Sequence, residues 1–377
     1  MSPTGRPKDE LLSAQREGKL LHHLMVVAAG TGGHVMPGLA VAEALLARGW
    51  SVSWLGTRVG MERQLVEPRG IAFDAIDFAG LRGKGIKTLL LGGFYLLRAL
   101  WQSRALIHAR KPRLMFSTGG YIAVPAGMAA STLGVPLVLL NSDAAPLMST
   151  KMLKSLASAV LCGFDGPAAR MAGAKGLVTG NPLRVEIAQM APPEQRYAGR
   201  AGPLQLLVIG GSLGAQVLNE NVPRALALVS SNLRARVVHQ CGTKHIEAVQ
   251  ALYRALGVDA EVVAFIDDMP DRYTKADLVV CRAGAITVSE LAAGGVASVL
   301  IPLVASTTTH QRANAEFMAA RGAAIHLPQA ELSAPKLADL LHSLTRDRLL
   351  AMAQAARSLG KPDATATVAS VIEKVAV

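Results

Sequence analysis

The sequence predicts an α/β protein in which two doubly wound, parallel-sheet domains face each other across a cleft. Three observations carry that expectation. Short apolar runs rich in β-formers alternate with helical stretches along the whole chain, the pattern of parallel strands covered by helices on both faces. At 377 residues the chain is too long for one ordinary core and too short for three, given roughly 100 to 200 residues per domain. Finally, Leu24-Met-Val-Val-Ala-Ala-Gly30-Thr-Gly-Gly33 is echoed 180 residues later by Leu204-Gln-Leu-Leu-Val-Ile-Gly210-Gly-Ser-Leu-Gly214. Each copy reads as an apolar strand, a glycine turn and the start of a helix.

In order along the chain, residues 1–23 mix both charges and lack an apolar core, so they read as a flexible extension rather than a secretory signal. Residues 24–182 form the expected first domain, with strands starting near Leu24, Ser51, Ile71, Leu114, Val135, Ala159 and Leu177. The uncharged run 114–142 is long enough to span a bilayer, but Gly119, Gly120, Pro125, Gly127, Gly134 and Pro136 divide it into strand, loop, helix and strand. Residues 183–361 form the second domain, with strands starting near Leu204, Arg236, Glu261, Leu278, Ser298 and Ala324. The polar, proline-bearing stretch 181–203 reads as the linker. A modest helix at the C-terminus, within 362–377, is a candidate to complete the first domain.

Composition narrows the class. With 51% apolar and 18% charged residues the chain is not disordered, and no collagen, coiled-coil or disulfide framework fits. Cys162, Cys241 and Cys281 are far apart, so reduced thiols in a cytoplasmic compartment are expected. The net charge of +12 points to an anionic partner: nucleic acid, phosphate or lipid. Eight bases (Arg82, Lys84, Lys87, Arg98, Arg104, Arg110, Lys111, Arg113) lie in the 65 acid-free residues between Asp77 and Asp143. Among them Leu90, Phe94, Leu97 and Trp101 recur at helical spacing, which suits docking on anionic headgroups. A helix facing its own core is the alternative, and Gly92-Gly93 in the middle weakens a rigid helix.

The glycine turns let backbone N–H groups and the positive end of a helix approach an anion, so two of them imply phosphate-bearing ligands. The first is not a dinucleotide fingerprint, because Val35 stands where a third glycine would be needed. The next strand ends without a ribose-binding acid, which argues against NAD, while Arg58 leaves NADP as a weaker alternative. His34 sits beside the glycines at a helix start, as a general base or as a residue capping its turn. In Thr287-Val-Ser-Glu290 the carboxylate either receives a ribose diol or closes a capping box. Gln311 and Asn314 share a helix face suited to sugar hydroxyls or to solvent.

Together several segments resemble the MurG family, the UDP-N-acetylglucosamine transferases that convert lipid I to lipid II in bacterial cell-wall synthesis. They are Gly30-Thr-Gly-Gly-His-Val-Met-Pro-Gly38, Gly80-Leu-Arg-Gly-Lys-Gly85, Ser117-Thr-Gly-Gly-Tyr121, Gly180-Asn-Pro-Leu-Arg184, Gly210-Gly-Ser-Leu-Gly-Ala215, Phe265-Ile-Asp-Asp-Met269 and Cys281-Arg-Ala-Gly-Ala-Ile-Thr-Val-Ser-Glu290. The resemblance implies a GT-B fold of two Rossmann-like domains and an inverting hexosyltransferase. It implies UDP-GlcNAc binding by Thr31, Gly32, Gly33, Asp143, Arg184, Ser212, Phe265, Ile266, Ala285, Ile286, Thr287, Val288, Ser289, Glu290, Gln311 and Asn314. His34 is implied as base or acceptor contact, and Gly30, Gly119, Gly120 and Tyr121 as acceptor and diphosphate loops. Lys84, Lys87, Leu90, Phe94, Leu97, Arg98, Trp101 and Arg104 would form a membrane patch on anionic lipids, at the cytoplasmic face of the inner membrane.

The implied partners are UDP-GlcNAc, the undecaprenyl-linked lipid I and other cell-wall enzymes, with no nucleic acid. No Asp-x-Asp motif is present, so no tightly held metal or other cofactor is expected, and a loosely held Mg²⁺ stays compatible. The chain departs from the family at Leu140-Asn141-Ser142-Asp143, where His-Glu-Gln-Asn is usual, and the run Thr307-Thr308-Thr309 lacks the usual acid. The alternatives are a UDP-GlcNAc-binding scaffold without catalysis, or another GT-B UDP-sugar enzyme such as an epimerase.

Overall fold

The computed structural model describes residues 22–30, 32–78, 92–211, 214–230, 235–303 and 310–377. The expected extension up to residue 21, Thr31, Lys84, Lys87, Leu90, Ser212, the 80–85 motif and the 307–309 threonines lie outside them.

The first sheet contains β1 (His23–Ala28), β2 (Ser51–Thr57), β3 (Ala72–Ile76), β4 (Leu114–Gly119), β5 (Leu137–Asn141), β6 (Ala159–Cys162) and β7 (Gly176–Val178), in the order β3-β2-β1-β4-β5-β6-β7. The second contains β8 (Gln205–Ile209), β9 (Arg236–Gln240), β10 (Ala260–Val263), β11 (Leu278–Cys281), β12 (Ser298–Leu300) and β13 (Ile325–His326), in the order β10-β9-β8-β11-β12-β13. All pairings are parallel; Leu24, for instance, pairs with Val52 on one side and Leu114 on the other. In both sheets the order reverses beside the first strand, between β1 and β4 and between β8 and β11. Crevices at such reversals are where open α/β sheets bind ligands.

The central strands β1, β4, β5, β8 and β11 are mostly apolar because both faces are covered, whereas the edge strands β3, β7 and β10 keep exposed or half-buried positions. Leu24 and Val26 point into a core shared with helix Gly32–Leu46 and, from the far end of the chain, Val368, Ala369 and Ile372 of helix Ala364–Ala376. Met25 and Val27 point the other way, under helices Gly92–Arg110, Ala123–Thr132 and Met148–Leu153. The terminal helix is tied down by Arg48–Glu373 at 2.6 Å and by Arg113, whose Nε donates to the Ala376 carbonyl at 2.6 Å. Cys162, Cys241 and Cys281 are buried free thiols.

Two local expectations are corrected. The linker is folded: it forms helices Val185–Ala188 and Pro193–Tyr197, and Ile187, Met190 and Tyr197 are buried in the second domain. Its Arg196 is buried as well and donates to carbonyls of Gly294 and Gly295 at the end of helix Ala285–Gly294, where a cation meets the negative pole of the helix. Polar composition there marks a buried brace rather than a loose tether. Gly92-Gly93 opens helix Gly92–Arg110 rather than interrupting it.

That helix packs inward through small residues, Ala99 and Ser103 with Ile107, which admits helix Ala123–Thr132 closely. Its large apolar residues are left outside: Phe94 is 64% exposed, Leu97 58% and Trp101 67%. The core-facing alternative therefore fails for this stripe. Part of the local charge surplus is answered, since Arg98 pairs with Asp77 at 3.0 Å and Arg110 with Asp74 at 2.8 Å. Arg104 donates instead to the Thr132 hydroxyl. Arg58 also pairs with Asp77, at 2.6 Å, so it is not held ready for a 2′-phosphate. Among the described residues no helix is long and apolar enough to cross a membrane.

Candidate active site

At the first reversal, β1 runs into Gly30, whose φ of +107° turns the chain into helix Gly32–Leu46. The neighbouring β4 slips by one residue there: Val27 pairs with Ser117 but Ala28 with Gly119, leaving Thr118 unpaired. Bulges of this kind re-aim groups beside functional sites. Here the freed carbonyl of Thr118 takes a hydrogen bond from His34 Nδ1 at 2.9 Å, and the Thr118 hydroxyl donates back to the His34 carbonyl at 2.7 Å. A carbonyl can only accept, so Nδ1 carries the proton and Nε2 keeps its lone pair. Burial is the main cause holding the His34 pKa below its ordinary value, opposed by the Thr118 bond and by Asp143. The imidazole is therefore neutral at pH 7, in the tautomer a general base requires.

Two glycines make this placement possible. Gly119 has φ +105°, and a Cβ on it would stand 3.0 Å from His34 Cε1. Gly120 has φ +83°, and its Cβ would lie 2.4 Å from the Ala29 carbonyl oxygen. Tyr121 follows, against Gly30, with its hydroxyl 3.4 Å from Thr57 Oγ1. The structure thus brings together Gly30, His34, Gly119, Gly120 and Tyr121, with Gly32 and Gly33 opening the helix.

At the second reversal, Gly210, Gly211, Gly214, Gln216, Arg282, Gly284, Thr287 and Gln311 line a cavity of about 600 Å³ at the carboxyl ends of β8, β11 and β12. Gly214 needs to be glycine, since φ is +76° and a Cβ would meet the Cys241 carbonyl at 2.0 Å. Helix Ala285–Gly294 starts at the cavity with Gly284 as N-cap and no side-chain cap. The capping-box alternative for Thr287 and Glu290 is therefore excluded. Glu290 is buried and accepts from Arg184 Nη2 at 2.9 Å and from the Tyr273 hydroxyl at 3.3 Å. Burial raises its pKa and Arg184 pulls it back down.

The remaining predicted donor residues divide. Ala285, Ile286 and Thr287 form the partly exposed first turn. Gln311 accepts from Leu303 N at 2.9 Å through Oε1, on the cavity wall. Phe265 is largely exposed, whereas the Ile266 and Val288 side chains are in the core. Ser289 is buried and accepts from Asn181 Nδ2 at 2.8 Å. Asn314 is fully buried; it donates to Asp143 and Ala283 and accepts from Ala144 N, all at 2.8 to 3.0 Å. In this arrangement Ile266 and Val288 pack in the core, Ser289 and Asn314 are each held by a hydrogen bond to a residue of the first half of the chain, and Asp143 is engaged across the domain boundary. Neither burial nor a partner 171 residues away in sequence can be read from i, i+3 spacing.

Sequence reasoning missed Tyr273, which completes the Glu290 cluster, and Arg282, whose Nη1 donates to Gln329 Oε1 at 2.7 Å and to the Ile301 carbonyl at 3.2 Å. Arg282 stood in a quoted motif, a cation directly after a central strand, and that was the available signal. Among the described residues no group of three or more His, Cys, Asp or Glu could hold a metal ion.

Two doubly wound parallel sheets, the first with a base-ready histidine at its reversal and the second with a glycine-lined cavity at its own, are the architecture of the GT-B fold. Residues 24–162 match the glycosyltransferase family 28 N-terminal domain and residues 205–372 the family 28 C-terminal domain; the chain belongs to this family. It is similar to a UDP-N-acetylglucosamine–N-acetylmuramyl-(pentapeptide) pyrophosphoryl-undecaprenol N-acetylglucosamine transferase of Herminiimonas arsenicoxydans, 56% identical over 93% of this chain and 98% of that one. A Chromobacterium violaceum protein of the same description is 53% identical over 94% of this chain and 98% of its own. The crystal structure of Acinetobacter baumannii MurG superposes with a TM-score of 0.80 at 36% identity, covering 94% of this chain and 99% of that chain.

Proposed function

We infer that the chain is an inverting transferase that moves GlcNAc from UDP-GlcNAc to the MurNAc hydroxyl of undecaprenyl-pyrophosphoryl-MurNAc-pentapeptide, turning lipid I into lipid II. The observation that carries the reading is His34, its Nδ1 pinned to the Thr118 carbonyl and its Nε2 without a hydrogen-bond partner among the described residues, in a chain whose second sheet opens on a cavity of about 600 Å³. Relatives above half identity described as this transferase disfavour the epimerase and scaffold alternatives.

In this mechanism His34 Nε2 takes the proton of the acceptor hydroxyl as its oxygen attacks the anomeric carbon. The bond from that carbon to the UDP oxygen breaks, and the electron pair leaves with UDP. Charge growing on the diphosphate is met by N–H groups of the glycine loop and of the first turn of helix Ala285–Gly294, and by Arg184. The exposed Phe94, Leu97 and Trp101 beside Arg104 hold the enzyme peripherally on the anionic inner leaflet, where the lipid acceptor resides.

Labelled UDP-GlcNAc incubated with a lipid I analogue tests this directly. Labelled lipid II is expected; donor binding without transfer would overturn the reading.

A further inference from the structure

The glycine loop after β8 is held from behind by one side chain. Gln240 ends β9, on the far side of β8 from β11, and is buried. Its main-chain carbonyl accepts from Gly210 N at 3.1 Å. Its carboxamide then takes the next residue twice: Oε1 accepts from Gly211 N at 3.0 Å, and Nε2 donates to the Gly211 carbonyl at 2.8 Å. Nε2 also donates to the Ala264 carbonyl at 3.2 Å, which anchors the amide to the segment that follows β10. One N–H and two carbonyls surround the amide, and carbonyls only accept, so a single orientation of the Gln240 side chain satisfies all three.

These bonds decide which way the dipoles of the loop face. Gly210, Gly211 and Gly214 line the 600 Å³ cavity, whereas Gln240 lies behind them and outside its wall. A carbonyl bonded to Gln240 is therefore turned off the cavity. The Gly211 oxygen takes a second bond from Gly214 N at 2.9 Å, so both of its lone pairs are spent within the protein. Gly211 reaches this conformation at a φ of +84°, which glycine adopts without strain. The Cys241 carbonyl, against which Gly214 packs, is taken in the same manner by Asn219 Nδ2 at 3.1 Å. A loop that receives an anion has to present N–H groups and withhold carbonyl oxygens, which repel phosphate.

We propose that Gln240 is a positioning residue for the donor's diphosphate: by holding both the N–H and the carbonyl of Gly211 from behind, it keeps that oxygen away from the phosphates and fixes the loop in its anion-receiving form. The proposal rests on the reading that this cavity takes a nucleoside diphosphate. Gln240 then governs the part of donor affinity that comes from the phosphates and leaves the part that comes from the nucleoside untouched.

The test compares UDP with uridine, which carries no phosphate, on the full-length protein, using titration calorimetry for UDP and ligand-observed NMR titration for uridine. Gln240→Met keeps the length and volume of the side chain and removes all three of its hydrogen bonds. UDP affinity should fall about tenfold, the worth of one to two such bonds, while uridine affinity changes by less than about twofold. Unchanged UDP affinity in Gln240→Met would overturn the proposal. So would equal losses for UDP and uridine, the signature of a cavity that has merely been deformed. Thermal melts check that the variant folds. If Gln240→Met does not fold, Gln240→Asn decides: it retains a buried amide that is one methylene too short to span Gly211 and Ala264, and it should give the same split between UDP and uridine. Wild-type UDP affinity in Gln240→Asn would then overturn the proposal.

The wild-type titration separates this from the underlying reading. Protein that binds neither UDP nor uridine removes the nucleotide cavity and the role of Gln240 together. Wild-type protein that binds UDP, beside variants that bind it equally well, removes the role of Gln240 alone.

Discussion

Replacing Glu290 by alanine separates a ligand contact from a structural one. The carboxylate is 7% exposed and holds Arg184 Nη2 at 2.9 Å, Arg184 Nε at 3.3 Å and the Tyr273 hydroxyl at 3.3 Å. Breaking a fully buried ion pair from one side costs about 3–5 kcal/mol. The Arg184 side chain is 32% exposed, so water recovers part of that loss. The working figure is about 2–3 kcal/mol, of which about 1 belongs to the stranded tyrosine hydroxyl. A lost cap would cost only about 1 kcal/mol, and this helix is capped at Gly284, so no cap is lost. At about 2–4 °C per kcal/mol for a domain of this size, Tm should fall by about 5–10 °C. Scanning calorimetry gives Tm, and titration calorimetry with UDP-GlcNAc gives donor affinity. If the carboxylate also receives the ribose, Kd rises about tenfold or more. A Tm loss under about 2 °C would refute the energetic reasoning, and an unchanged Kd would refute the ribose contact.

Three further outcomes are expected. Gly119→Ala places a methyl at a φ of +105° and 3.0 Å from His34; kcat should drop about tenfold or more with donor affinity retained, measured by steady-state kinetics and calorimetry. Replacing Phe94, Leu97 and Trp101 together by serine should abolish co-sedimentation with anionic vesicles while each change shifts stability by no more than about 0.5 kcal/mol, because the side chains are exposed. His239 is buried between Tyr253 and Asn219, and desolvation lowers its pKa to about 4. Its contribution to stability is therefore fully present above the unfolded value of 6.5 and is lost as pH falls from there towards about 4. Urea melts should lose up to about 3 kcal/mol over that window, and His239→Gln should lose less of it.

The strands among the described residues were legible because the central ones, buried on both faces, are nearly unbroken apolar runs, and the two doubly wound domains followed from the repeated glycine turns. His34 was legible for the same reason: the glycines that admit an anion also bring the first helical turn to the sheet edge. What the sequence hid were partners fixed by tertiary packing. Arg184 and Glu290 are 106 residues apart, and Tyr273 carries no local mark of its role. The stretch around Arg196 has the polarity and prolines of a tether, yet its guanidinium satisfies carbonyls at a helix end. Gln311 and Asn314 share a helix face, but that face is wide enough for one to reach the cavity and the other to be sealed beneath Asp143.

The Arg184–Glu290 pair also bears on how a donor would enter. Arg184 belongs to the segment that joins the two sheets, immediately before helix Val185–Ala188, whereas Glu290 lies on the helix whose first turn opens the cavity. Just beyond Arg184's neighbour, Leu183 exchanges hydrogen bonds with the Thr365 hydroxyl, both at 3.0 Å, which ties the outgoing crossover of the chain to the returning one. A nucleotide sugar offers each partner a substitute, a diphosphate for the guanidinium and a ribose diol for the carboxylate. Parting the pair costs the about 2–3 kcal/mol worked out above, and two charge-assisted hydrogen bonds at about 1.5–3 kcal/mol each are enough to offset it. Donor binding in this reading therefore acts on the crossover itself, and the stability lost in Glu290→Ala and the affinity lost in the same variant are two measures of one cluster.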